Sequence, residues 1–552
     1  MSDQAALLAA IRTNPDDDTP RLIYADWLDE HLPDARPSPA GGPSARAEFI
    51  RVQCRLAQRP YDDPDYPMLL EREEELERWL FGHEGGAAAL ELPDDLDWFA
   101  KPPDGDDPTC RRGFPEEAEY TDYDEEPEKN VARITAALAA AFATSTVRTL
   151  RLEDVYGAEV AGLAADPVAA GLRGLVLDYI ADDDETTAAR GLADSPHLTE
   201  LRRLHLEFNI PLGDLQALAR GRLSALEALA LDQTQAAGLK ALAAARWFRN
   251  LRELRLWFDN RDTFKALGEL PTMPRLAALA VRGHATPGVA PGAGAFKRFA
   301  ASGSFPRLGY LELAHVELTP DLLAALGRAP WPLRHLKLHE VELRKAGVEA
   351  LANAPFADSL HVLSLSECQI TAGGVQALAA SPKLAGLKHL DLSANPIGPG
   401  GLAALARSRH LRGLRSLDLH GCGFGKAAID AAAMLRFLTA LDTPDLRHLT
   451  LDTLPVGPQG ANVIATGGTF ANLTKLDLSH CELRETGARA LVESDSLGHL
   501  VLLDLSGNNA GKGAVKLTSP KVFPRLGDCN LEGNRLPKAA LARFRKRPGV
   551  RV

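Results

Sequence analysis

One spacing decides what this chain can fold into. The run Leu387-Lys388-His389-Leu390-Asp391-Leu392-Ser393-Ala394-Asn395-Pro396-Ile397 places leucines at its first, fourth and sixth positions. It has an asparagine at the ninth and an apolar residue at the eleventh. In an extended strand, alternate side chains point to opposite faces, so Leu390 and Leu392 face one way and Asp391 the other. The Asn395 amide has the donors and acceptor to satisfy backbone groups where the chain leaves the strand. One such unit cannot bury its leucines alone. A stack of units buries them in one continuous core.

The spacing recurs in phase. Its first position falls at Val147, Leu172, Leu201, Leu226, Leu251, Leu276, Leu308, Leu333, Leu360, Leu387, Leu414, Leu446, Leu473, Leu500 and Leu526, which makes fifteen coils. The steps run from 25 to 29 residues, except for two of 32, from Leu276 to Leu308 and from Leu414 to Leu446. Between strands, Gly347-Val348-Glu349-Ala350-Leu351, Gly374-Val375-Gln376-Ala377-Leu378, Gly401-Leu402-Ala403-Ala404-Leu405 and Gly487-Ala488-Arg489-Ala490-Leu491 repeat a second motif. Its apolar positions, three and four apart, mark one face of a helix. Each coil therefore reads as strand, turn, helix, turn.

These two motifs resemble the leucine-rich repeat, in its ribonuclease-inhibitor-like class, over roughly three-quarters of the chain. The resemblance implies an α/β solenoid with parallel strands on the concave face and helices on the convex face. For function it implies a tendency to bind proteins.

Residues 1–58 read as a separate, all-α module. Gln4 to Arg12 suggests a first helix. Thr19 as N-cap and Pro20 at the first helical position start a second, with Leu22, Ile23, Trp27 and Leu28 as its buried side. A Pro/Gly/Ser loop from Pro33 to Ser44 leads to a third helix around Arg46 to Gln53. The run Pro20-Arg21-Leu22-Ile23-Tyr24-Ala25-Asp26-Trp27-Leu28, followed by Arg46-Ala47-Glu48-Phe49-Ile50-Arg51, resembles the bacterial repeat-companion domain. That family has no activity to carry over. Asp16-Asp17-Asp18 lacks the ligand spacing of a calcium loop and reads as dipole complement to the following helix.

Charge divides the rest. Residues 61–130 hold 24 acids and 6 bases, within a whole chain of net charge −12. Residues 59–110 are read as an acidic helical connector, with Leu69 to Phe81 as its helix. Residues 111–146 are read as the solenoid's N-terminal cap, with a strand beginning near Arg111 and a helix over Asn130 to Ala143. Residues 147–552 are the solenoid. The opposite signs suggest that part of 61–130 folds back over the first coils, near Arg148, Arg173 and Arg202.

The concave face is where a solenoid offers side chains to a partner. Aromatics follow the early strands at Tyr179, Phe208, Trp257 and Phe258. These are candidate anchors, or rings that pack across coil edges. Acids sit between the leucine pairs at Asp391, Asp418, Asp477 and Asp504, as partner contacts or as solubilising charge. Histidines occupy a neighbouring column at His335, His389 and His448. A basic edge column runs through Arg148, Arg173, Arg202, Arg252, Arg334, Lys388, Arg415 and Arg447, to pair with nearby acids or with phosphates. His389, Asp391, Asp418 and His420 are the one grouping that suggests a metal, but nothing in the repeat encloses them.

Cys368, Cys422 and Cys481 fall where other coils carry Asn395, Asn508 and Asn534, and Cys529 replaces an inward leucine. They read as reduced structural thiols. The most apolar window, Val131 to Val147, carries Arg133 and several threonines and reads as a capping helix, not a membrane span. Met1-Ser2-Asp3-Gln4 has no basic start before an apolar core. No P-loop, HExxH or GxSxG motif occurs. The reading is a cytoplasmic, non-enzymatic, monomeric bacterial scaffold that binds a protein partner on its concave face, without cofactor, metal or membrane. The alternatives are polyanion or nucleic-acid binding along the basic column, which the net charge opposes, and regulation of a GTPase by analogy.

Overall fold

The computed structural model describes residues 3–31 and 44–58, scattered positions between 66 and 80, 110–111, 114–115, and 117 to the C-terminus. The last stretch has gaps at 122–126, 181–184, 233–234, 259–261, 284–289, 424–427, 520 and 548–549. The expected loop over 33–43, most of the connector and the run 122–126 lie outside the described residues.

Seventeen strands, from β3 (Glu117–Thr121) to β19 (Val550–Arg551), form one open parallel sheet in sequence order. The fifteen predicted coils supply β4 (Thr149–Val155) to β18 (Asp528–Asn530), and one further strand pairs at each end. Equivalent positions meet in register: Leu363 lies opposite Leu390, and Leu390 opposite Leu417. The first-position residues are all buried, the most exposed being Leu526 at 8%. A helix or 3-10 turn follows each repeat strand, and its apolar face closes the core. The cap helix spans Pro127–Thr144, slightly longer than expected. Before β3, a short antiparallel pair, β1 (Cys110–Arg111) and β2 (Phe114–Pro115), takes the place of the expected single cap strand.

The described part of the wide step before Leu308 packs aromatic rings into the core. The helix Ala293–Ala300 carries Phe296 and Phe299, which pack with Phe264, Phe305 and Trp331 at centroid distances of 5.0 to 6.2 Å. The five rings, drawn from this coil and its two neighbours, fill the core on the helix side.

The turns after the later strands depend on the asparagine column. Asn395 is buried; its Nδ2 donates to the Leu365, Leu392 and Ser393 carbonyls, and its Oδ1 accepts from the Ile370 N–H. The cysteine coils keep the donor half of this arrangement. The thiols of Cys368, Cys422 and Cys481 donate to the Leu338, Leu392 and Leu451 carbonyls of the coil before, at 3.0 to 3.3 Å. Burial pushes the Cys368, Cys422 and Cys529 thiols up to about 12 and Cys481 higher still, so these sulfurs are inert as nucleophiles.

The N-terminal region is helical: α1 (Asp3–Thr13), α2 (Asp18–His31) and α3 (Ala45–Gln58). Two local expectations fail here. The cap of α2 is Asp17, whose carboxylate accepts the Thr19 N–H at 2.9 Å; a charged acceptor at a helix N-terminus outcompetes the threonine hydroxyl. The helix thus starts two residues earlier than expected, and its buried face is Arg21, Tyr24, Ala25 and Leu28, which leaves Leu22 and Ile23 36% and 50% exposed. Arg21 is fully buried because its guanidinium lies 5.7 Å above the Phe114 ring, with Arg46 5.4 Å from the same ring. Phe114 comes from the first hairpin, so it pins the helices to the solenoid.

The helical positions described between Tyr66 and Leu80 pack on α3. Leu69 and Leu76 are buried against Phe49, Val52 and Leu56, and Arg72 holds Glu48 through two bonds of 2.6 and 2.8 Å.

Candidate interaction face

On the inner face, residues two apart along a strand point the same way, so each coil contributes a row of outward side chains. In the first half these rows neutralise themselves. Arg151 meets Glu117 at 3.3 Å and Asp178 at 3.5 Å, and Arg255 meets Glu253 at 2.6 Å. Glu312 accepts from Arg282 at 2.8 Å and from the Tyr310 hydroxyl at 2.7 Å, with Lys337 3.7 Å away. Hydrogen bonding to Arg282 and the charges of Lys337 and Arg282 overcome burial and hold Glu312 below the usual carboxylate range.

Trp257, on β8 (Glu253–Phe258), is the one of the four candidate aromatics whose side chain is described on the inner face. It is half-buried. Its ring stacks on His205 at 5.6 Å, and the Arg282 guanidinium lies 5.3 Å from its centroid. His205 is on β6 (Arg203–Glu207) and Arg282 on β9 (Ala278–Gly283), so the indole bridges over β7 (Ala228–Leu231). That crossing is possible because β7 offers only Ala228 and Ala230 to the face. The small side chains leave a notch, lined also by Arg203, His205, Glu253 and Arg255. Beside it, burial and then the charge of Asp178 push Glu207 up to about 7, against the pull of Arg151.

Phe208 is not on this face. It is 5% exposed and belongs to the core. The reason is parity: it lies three residues beyond His205, an odd step from an outward position, whereas Trp257 lies two beyond Arg255. The side chains of Tyr179 and Phe258 lie outside the described residues.

The acids form two register pairs, Asp391 beside Asp418 and Asp477 beside Asp504, with Thr450 between. Each first serves its own turn. Asp391, Asp418, Asp477 and Asp504 accept the N–H groups of Ser393, His420, Ser479 and Ser506 at 2.8 to 2.9 Å. Burial, with Asp391 adjacent, pushes Asp418 up to about 6, and burial also raises Asp477. His335 sits edge-on to Tyr310 at 4.6 Å, and its desolvation pushes it down to about 3, so it is neutral at physiological pH. Val362 separates it from His389 in the same column. The grouping of His389, Asp391, Asp418 and His420 does not assemble: His420 turns to Asp452 of the next coil, at 2.6 Å, and Asp391 takes the Ser364 hydroxyl at 2.6 Å.

The basic edge column has a use that sequence reasoning missed. Asp16, in the turn between α1 and α2, bridges Arg173 and Arg202, each at 3.2 Å, and Arg148 donates to the Arg12 carbonyl at 3.1 Å. These are the arginines over which part of residues 61–130 was expected to fold back, and most of that segment lies outside the described residues. The contact joins residues 157 and 186 apart, and the run Asp16-Asp17-Asp18 gives no periodic signal of it.

A leucine-rich-repeat family model matches residues 359–379, 387–406 and 471–492, all in the half that carries the asparagine and cysteine column. No curated protein matches the chain. Among solved structures, an internalin from Listeria monocytogenes is 15% identical, with 77% of this chain and 94% of that one covered, at a TM-score of 0.31. A Bacteroides fragilis protein is 13% identical over 55% of this chain and 67% of that one, at a TM-score of 0.25. At these scores neither likeness adds to the argument. The chain carries leucine-rich repeats, and they are stacked into an open solenoid.

Proposed function

We propose that this protein is a non-enzymatic scaffold that takes a protein partner on the concave face, at the notch beside Trp257. One observation carries the reading. A tryptophan stands half-buried on the open side of the sheet, stacked between His205 and Arg282, next to a floor of alanines. Tryptophan and arginine dominate the energetics of protein interfaces, most of all where a small pocket lies alongside. A partner side chain enters over Ala228 and Ala230 and packs against the indole, while Arg203, Glu253 and Arg255 form a polar rim.

The reading extends to a monomeric bacterial protein of the cytoplasm. Its described cysteines are buried free thiols, which suits a reducing compartment. No described helix is long and apolar enough to cross a membrane. Phosphate binding along the basic column loses force, because Arg148, Arg173 and Arg202 already serve the N-terminal helices.

The test is affinity capture from native lysate with the full chain, its Trp257→Ala variant, and Arg344→Ala at the exposed start of a helix, quantified by mass spectrometry. The expected result is a protein recovered at least ~10-fold less by Trp257→Ala and equally by Arg344→Ala, since truncating a hot-spot residue costs ~2 kcal/mol or more. Equal recovery by all three, or recovery abolished by nuclease, overturns it.

A further inference from the structure

We propose that His315, His339 and Glu340 form a binding site for one divalent transition-metal ion of the zinc type, on the rim of the concave face. The repeat geometry brings them together. β10 (Tyr310–Ala314) and β11 (His335–His339) are register partners, with Ala314 opposite His339, and the His315 N–H donates to the His339 carbonyl at 3.0 Å. His315 and Glu340 each follow the last residue of their strand. Both adopt the left-handed backbone, with φ of 54° and 51°, so they hold equivalent positions in adjacent coils.

Glu340 therefore lies between two imidazoles. One carboxylate oxygen is 3.0 Å from His315 Nδ1, and the other is 3.7 Å from His339 Nε2. The rings meet nearly at right angles, at 85° and 5.4 Å between centroids. A candidate donor atom from each of the three residues lies within 4.8 Å of the others, and this is the one such group among the described residues.

Those distances suit the ion. Zinc binds imidazole nitrogen and carboxylate oxygen at ~2.0–2.2 Å, so two donors of a tetrahedral site stand about 3.4 Å apart. The 3.0 and 3.7 Å separations bracket that value, and the three donors lie within 4.8 Å of one another. Two nitrogens and one oxygen match the ligand preference of zinc over calcium or magnesium. The side chains are 23%, 30% and 44% exposed, so an ion has an entry path and water can complete a fourth position.

The test uses the full chain stripped of metal. Zn²⁺ is titrated calorimetrically into the wild-type protein, His339→Ala, Glu340→Gln and His420→Ala, and Co²⁺ serves as a spectroscopic probe. Losing a group that merely supports a ligand costs ~10–100-fold in affinity, so losing a ligand costs at least ~10-fold. The expected result is one ion per chain, weakened at least that much by both His339→Ala and Glu340→Gln and unchanged by His420→Ala. Co²⁺ gives visible d–d bands without a thiolate charge-transfer band. Both substituted side chains are partly exposed and keep their backbone conformation, and circular dichroism verifies the fold. No saturable binding, binding that either site variant leaves unchanged, or a thiolate band overturns the assignment.

Discussion

Replacing Asn508 by alanine tests how the turns of the later coils are held. Asn508 is fully buried. Its Nδ2 donates to the Leu478 carbonyl at 2.6 Å and to those of Leu505 and Ser506, each at 3.0 Å. Its Oδ1 accepts the N–H groups of Cys481 and Leu483, at 2.9 and 3.1 Å. An amide has two hydrogens, so its three donor contacts amount to two bonds, and the acceptor adds two. At ~1 kcal/mol net for each bond, Asn508→Ala costs about 4 kcal/mol, and the stranded buried N–H groups keep the cost from falling much lower. Asn508→Cys separates the contributions, because the chain itself shows what cysteine does here. Cys481 donates to the Leu451 carbonyl at 3.0 Å, a weak bond that keeps part of the donor side of the arrangement. A cost of about 2 kcal/mol is expected for Asn508→Cys. A solenoid need not unfold in one step, so the assay is native-state hydrogen exchange over residues 474–510, with urea unfolding followed by circular dichroism beside it. Equal costs for the two variants, or a loss under ~1 kcal/mol for alanine, would refute the argument that the amide holds the turn.

Two further outcomes follow from the same geometry. Leu390 is 1% exposed, so Leu390→Ala should cost roughly 2–5 kcal/mol. Asp391→Ala loses only the bonds from Ser364 and Ser393 and should cost ~1 kcal/mol; equal shifts in thermal unfolding would mean the strand faces are reversed. Glu207, raised from 4.5 to about 7, keeps a proton when folded that it releases when unfolded. Its contribution is fully present below about pH 4.5 and is lost as pH rises towards 7. Glu207→Gln should therefore narrow the fall in stability between pH 5 and pH 8 by ~1 kcal/mol, a figure already reduced for its partial exposure. An unchanged difference in melting temperature would show that solvent sets its titration.

The leucine spacing made the solenoid legible because it is local, periodic and repeated fifteen times. The asparagine and cysteine column was legible for the same reason, since Cys368 and Asn395 stand at matching places in their coils. Phe208 was misplaced because adjacency to a strand was read without counting parity from His205. The buried face of α2 was misread because a fully buried arginine defies the apolar pattern, and part of what holds Arg21, the Phe114 ring, lies 93 residues away. The clasp of Asp16 on Arg173 and Arg202 joins distant segments through single charges that no periodicity announces. His315 and Glu340 escaped notice because they sit one position past the strand, where most coils carry no ligand.

The indole of Trp257 gives the arc a built-in gauge of its own shape. Its contacts run from His205 on β6 to Arg282 on β9, so the ring is held by strands that flank it on both sides. Tightening the curve presses these inner-face groups together, and opening it draws them apart. Helices on the outer rim feel the opposite change. The environment of this single side chain, and with it the intrinsic fluorescence it contributes, therefore varies with the radius of the solenoid. A change of curvature between β6 and β9 would thus be written into an optical signal at the inner surface, without any label.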